Sequence, residues 1–235
     1  STLFPYTTLF RSRYYLHVYK KQKMILGKHH PQTLVTCNNI GVLYKTQKQI
    51  EKAREYLLES MEGFTFLHGE GHSQVLQIKS IVADTYLQEK EYVIAENILQ
   101  DVITKQENIL GTKHPDLLVT LARLSRLYKQ KGDFEQAEPL YIRVFELRMK
   151  VFGPFHYKTL MAKRNLGVLY FFFEHYSKAE VIFLELYNYY KSEFGLYHKY
   201  FVSICEDLRE FFSEQKKYKP AILYGQEELN SLEKS

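Results

Sequence analysis

Apolar residues along this chain fall at helical spacing, interrupted by short polar breaks. Leu34, Cys37, Ile40, Gly41 and Tyr44 stand at i, i+3, i+6, i+7 and i+10, which is one face of a helix. A break follows at Thr46-Gln47-Lys48-Gln49, and then Ile50, Ala53, Tyr56, Leu57, Ser60, Met61 and Phe64 lay out a second, longer face. Further on, Leu118, Leu121, Leu124 and Tyr128 repeat the first pattern. A turn at Lys131-Gly132-Asp133 leads into Phe134, Ala137, Leu140, Tyr141 and Val144, the second pattern again. The spacing predicts a unit of helix A, a tight turn and helix B.

The unit has a fixed period. Gly27, Gly69, Gly111, Gly153 and Gly195 are 42 residues apart, and a histidine stands three residues after each: His30, His72, His114, His156 and His198. Alanine keeps the same interval (Ala53, Ala95, Ala137, Ala179, Ala221), as does an aromatic (Tyr44, Tyr86, Tyr128, Tyr170, Phe212). Self-similarity at such a period predicts a stacked array of supersecondary units. The alanines at the start of helix B, with Gly41, Ser125 or Gly167 on helix A, let two helix axes approach closely, and the aromatic fills the gap beside them. Each recurring glycine suits a left-handed cap ending helix B. Pro31 and Pro115 then suit the first position of the next helix A.

These residues resemble the tetratricopeptide repeat in its 42-residue form, as in kinesin light chains and nephrocystin-like proteins. The resemblance rests on LGTKHPDLLVTLARLSRLYKQKGDFEQAEPLYIRVFELRMKVFG at 110–153 and LGKHHPQTLVTCNNIGVLYKTQKQIEKAREYLLES at 26–60. Copies two and five diverge most, with Ile81 and Arg209 at positions where the family prefers asparagine and a small residue. It implies an all-α fold, a right-handed superhelical solenoid of antiparallel helix pairs whose concave groove is lined by the A helices.

The expected layout is repeats at 27–68, 69–110, 111–152, 153–194 and 195–235, preceded at 13–26 by an orphan helix B whose helix A partner is missing. Eleven helices result. Residues 1–12, STLFPYTTLFRS, lie outside the period and, back-translated, match a common sequencing adapter read in one frame. They are expected to be an artefact outside the fold, disordered or idly packed, on a fragment of a longer array.

Formal charge is +5, and about +4 without Arg11, which does not reach the dense basic stripe of a nucleic-acid binder. An RNA-binding helical repeat therefore ranks low, having also the wrong period and no two-residue code. No apolar run approaches the roughly 20 residues of a membrane span. Cys37 and Cys205 fall on the A faces of copies one and five, too far apart in a stack to pair. Buried reduced thiols fit an intracellular, cytoplasmic setting.

Little points to chemistry. Five of the nine histidines occur one per copy, too dispersed to share an ion, so no metal is expected and these residues read as partners for backbone in the inter-repeat turn. Gly69-Glu70-Gly71 lacks the flanking residues of a phosphate loop, and no nucleophile elbow occurs. The reading is a scaffold or adaptor without catalysis or cofactor. The alternative is a regulatory or sensor arm of a larger signalling protein or enzyme.

Inward-facing helix A positions define the candidate groove. Asn38 and Lys45 come from copy one; Ser80 and Asp84 from copy two; Arg123, Arg126 and Lys129 from copy three; Met161, Arg164, Val168 and Phe171 from copy four; copy five turns acidic there, with Glu206, Asp207, Glu210 and Glu214. The resemblance adds Asn39 and Asn165, at a position where family members often carry an asparagine ladder, here broken by Ile81, Arg123 and Asp207. Arg123, Arg126 and Lys129 share one broad helix face. A cleft lined by one sign of charge favours the opposite sign in its ligand. The expected partner is a protein or peptide, an acidic segment carrying an apolar or aromatic anchor received by Phe171 and Met161. Kinesin light chains take such aromatic-acidic cargo peptides.

Overall fold

The computed structural model describes residues 4–232, with side chains from residue 11 onward. Among these residues there are eleven helices and no strand. They are α1 (Phe4–Ile25), α2 (Pro31–Thr46), α3 (Ile50–His68), α4 (Ser73–Gln88), α5 (Tyr92–Leu110) and α6 (Pro115–Lys131). Then come α7 (Phe134–Phe152), α8 (Tyr157–Phe172), α9 (Tyr176–Glu193), α10 (Lys199–Glu214) and α11 (Tyr218–Leu232). An orphan helix and five pairs are what the period predicts. The orphan is longer than expected: α1 starts at Phe4, so residues 4–12 are helical rather than disordered. From Thr7 to Ile25 the run contains neither Gly nor Pro to interrupt it. Residues 1–3 lie outside the described residues.

The helices form two compact units, one up to residue 132 and one from residue 133. In the first, α2 packs on α3 and α4 on α5, while α1, α3 and α5 each lie against the A helix that follows. Leu34, Leu57, Phe64, Val75, Ile78 and Val82 form one core cluster, and Tyr19, Cys37 and Ile40 another. In the second unit α8 pairs with α9 and α10 with α11, with α7 on α8 and α9 on α10. Phe183, Phe201, Ile204 and Phe211 are fully buried there, the Phe183 and Phe211 rings meeting edge-on with centroids 5.7 Å apart.

Two kinds of positive-φ residue punctuate the array, and only one was legible as glycine. Gly69, Gly111 and Gly153 close their helices with φ between 81° and 87° and ψ between 164° and 167°. That is the extended positive-φ region open essentially to glycine alone. The expected left-handed helical cap is thus met in the sign of φ but not in ψ. The left-handed conformation occurs instead between helices A and B, at Lys48, Lys90, Gly132, Glu174 and Lys216, again 42 residues apart. Glycine holds it once.

The recurring histidines have one role. His30, His72, His114, His156 and His198 are each the N-cap of a helix A, with extended backbone. Each Nδ1 accepts the backbone N–H two residues on, at 3.2–3.3 Å. One of the four unpaired donors of the first turn is thereby satisfied. His114→Ala is expected to cost about 1 kcal/mol in urea denaturation, and His114→Asp much less, because a carboxylate caps as well. Equal losses in the two variants would show that the ring's packing matters and not its acceptor.

Carboxylates also tie helix A to helix B, with a partner that changes from copy to copy. Lys79 pairs with Asp101 at 2.6 Å, and Lys163 with Glu185 at 2.5 Å. In copies one and five the lysine is replaced by Cys37 and Cys205. There the preceding helix B supplies the partners. Glu59 accepts from Tyr19 Oη at 2.6 Å and Lys23 Nζ at 2.7 Å, and Glu227 from Tyr187 Oη at 2.6 Å and Lys191 Nζ at 3.0 Å. Burial, reinforced by Glu59 beside one and Glu227 beside the other, pushes both thiols up to about 12. They stay protonated, inert core groups.

Candidate functional site

In the first unit the A helices α2, α4 and α6 lie side by side, α4 touching both its neighbours. Their cations do not stand alone. Asp84 on α4, 5 % exposed, receives Lys45 Nζ at 2.9 Å, Arg123 Nε at 3.0 Å and Arg126 Nη2 at 2.6 Å. Arg123 also donates to Ser80 Oγ at 3.1 Å through Nη1. Burial raises the Asp84 pKa, but Arg123, Lys45 and Arg126 together outweigh it and hold the carboxyl below its usual range. Three cations on one carboxylate leave a surplus of positive charge. Arg126, with half its side chain exposed, presents that surplus to solvent.

The sequence placed Arg123 and Arg126 on one basic face and Asp84 on the inward face of the preceding copy, without pairing them. A signal was available, because Asp84 and Arg126 are one period apart and so occupy the same site on adjacent A helices. Lys129, on the same helix, is half-buried, and burial lowers its pKa. On α2, Asn39 is exposed, whereas Asn38 is half-buried with its Oδ1 lacking a hydrogen-bond partner.

The candidates of the second unit sit differently. Arg164 on α8 is matched two-on-two with Asp207 on α10, one contact being Nη2 to Oδ1 at 2.6 Å and the other Nε to Oδ2. Its charge is spent there. Burial, with Glu206 and Glu210 nearby, nonetheless raises the Asp207 pKa against the pull of Arg164. Phe171 is half-buried, its ring 5.5 Å from Phe211 and 6.3 Å from Tyr176, so packing between α8 and α10 accounts for it. Met161 and Asn165 are exposed on the same helix, and Val168 is half-buried.

No cluster of three or more potential metal ligands occurs among the described residues. No described helix is long and apolar enough to cross a membrane.

Comparison with known proteins bears on the architecture. No curated protein matches the chain. Among solved structures it resembles the nearly identical TPR-like repeats of a kinesin light chain homologue from Podosopora anserina, with TM-score 0.75 and 18 % identity over 87 % of this chain and 97 % of that one. It also resembles BtubC (BKLC) from P. vanneervenii, with TM-score 0.74 and 14 % identity over 98 % and 91 %. A Rap protein complexed with competence and sporulation factor follows at TM-score 0.65 and 12 % identity, over 97 % and 71 %. At these identities the likeness speaks for the fold. Family models described as tetratricopeptide repeat match residues 33–74, 74–148 and 128–192. Those stretches run from within α2 to within α9 and take in the caps His72, His114 and His156. By period, helix pairing and family match alike, the chain belongs to the tetratricopeptide repeat family.

Proposed function

We propose that this protein is a protein-interaction scaffold without chemistry of its own, and that the α2–α4–α6 face of its first unit receives an acidic peptide segment. The observation that carries the reading is the convergence of Lys45, Arg123 and Arg126 on the single carboxylate of Asp84. That anchoring holds the cations in place before a ligand arrives, so less ordering entropy is lost on binding. The repeat fold supports it too: one similar structure is a Rap protein complexed with a second molecule, competence and sporulation factor. In the second unit Arg164 is neutralised by Asp207, and Met161 and Val168 offer apolar contact in place of charge.

Fluorescence anisotropy with a labelled acidic peptide tests this. Arg126→Glu is expected to weaken binding at least tenfold, since it reverses the most exposed charge of the cluster. Raising salt from low to near-molar concentration should weaken the unmutated complex in the same direction. A peptide library that enriches basic sequences, or binding indifferent to both changes, would overturn the proposal.

A further inference from the structure

A pocket of about 260 Å³ opens in the first unit between α4 and α6, beside the Asp84 cluster. Ile81 and Val119 are its apolar wall, and Arg123 and Asp116 its charged residues. Gln106, from the end of α5, also lines it. Gln106 is 1 % exposed, and its Oε1 has no hydrogen-bond partner. A buried acceptor left unmatched is costly, and natural structures hold few of them. The residue that carries it lines a space that a ligand group can enter.

The other polar groups restrict what that group is. Asp116 already accepts from Gln77 Nε2 at 2.8 Å, and a carboxylate has further acceptor capacity. Arg123 uses Nε on Asp84 and Nη1 on Ser80, which leaves further guanidinium N–H groups. The pocket thus offers both acceptors and donors. An ammonium or guanidinium ligand meets the positive surplus of Lys45, Arg123 and Arg126. A carboxylate meets Asp116 and the Gln106 oxygen. An apolar side chain leaves Gln106 Oε1 unmatched. A neutral group with both an N–H and a C=O satisfies all of them.

We infer that this pocket is a subsite for a side-chain carboxamide, an asparagine or glutamine of the bound segment. The amide N–H donates to Gln106 Oε1, the carbonyl accepts from Arg123, and the methylenes lie on Ile81 and Val119. The inference rests on the reading of this face as a peptide-binding surface, which it deepens by naming a residue class at one position of the ligand.

Propionamide tests the pocket without a peptide. In methyl NMR spectra it should shift the Ile81 and Val119 signals saturably, and propionate and propylamine should do so far more weakly. Gln106→Leu should abolish the response. It should also raise the melting temperature by about 2–4 °C, because it removes the unmatched oxygen. Gln106→Met serves the same purpose where leucine disturbs the packing. A response that survives both variants, or that propionate or propylamine produces equally, overturns the inference. So does silence towards propionamide.

An acidic peptide with one central glutamine should bind about tenfold more tightly than its leucine counterpart, and Gln106→Leu should erase that difference. If acidic peptides bind but leucine and glutamine are equivalent, the subsite fails and the peptide-binding reading stands. If propionamide binds and no acidic peptide does, the peptide-binding reading fails and the pocket's chemistry stands.

Discussion

Asp84→Ala is expected to destabilise the protein by about 3 kcal/mol, because it strands cations that the fold has withdrawn from water. The side chains of Lys45 and Arg123 are only 17 % and 19 % exposed, and without Asp84 they face each other uncompensated. Truncating the outer partner is a different matter. Arg126 is half exposed, and Arg126→Ala should cost no more than about 1 kcal/mol. Asp84→Asn keeps the shape of the side chain and some of its acceptor capacity, so its loss should fall between the two. The ordering Asp84→Ala, Asp84→Asn, Arg126→Ala is read from urea midpoints. A loss below 1 kcal/mol for Asp84→Ala would mean that the cations relax into solvent and that the cluster is not fixed.

The same carboxylate predicts a pH dependence with a definite sign. Asp84 is held below its usual range in the folded state by Arg123, Lys45 and Arg126 acting against burial. Its contribution is therefore fully present above the unfolded value near pH 3.9. It is lost as pH falls through the lower folded value, since the unfolded chain binds the proton first. Stability of the unmutated protein should drop across that acid window more steeply than that of Asp84→Asn. Parallel acid limbs would remove the cluster as the cause.

The sequence made the architecture legible because the architecture repeats. Five histidines and five alanines at one interval mark caps and close contacts, and the structure places them so, while three of the five glycines, Gly69, Gly111 and Gly153, close their helices and Phe194 takes that place before Gly195. Conformations without a residue signature were hidden. Lys48, Lys90, Glu174 and Lys216 take the same left-handed turn as Gly132, yet nothing in a lysine or glutamate announces positive φ. At the candidate site, residue identities were readable and pairings were not. Lys45 with Asp84, Asp84 with Arg126 and Arg164 with Asp207 are 39, 42 and 43 residues apart. One period of separation is contact between neighbouring A helices, and opposite charges at that spacing are the signal that reading each helix face alone overlooks. Gln106 gave no signal, for its unmatched oxygen exists only in the folded arrangement.

Leu57→Ala and Gly41→Ala should each destabilise the first unit, and together by less than the sum. Leu57 is fully buried, and removing it leaves a cavity at about 3 kcal/mol. A methyl group on Gly41 would lie 2.7 Å from Leu57 Cγ, 3.0 Å from its Cδ2 and 3.1 Å from the Ala53 carbonyl oxygen. Alanine is the better helix former by about 1 kcal/mol. Overpacking of this kind costs about 1–3 kcal/mol, so the net effect of Gly41→Ala should be a loss of about 1 kcal/mol. In the double variant the two closest atoms are gone and the new methyl enters the space they vacate. Only the Ala53 oxygen remains near it. The coupling between the two positions should therefore be favourable by about 1 kcal/mol, as expected for residues in direct contact. Strict additivity would mean that α2 and α3 shift apart to admit the methyl, and that the alanine-and-glycine seam does not set their separation. A stabilising Gly41→Ala would go further, making helix propensity rather than close approach the term that decides at this position.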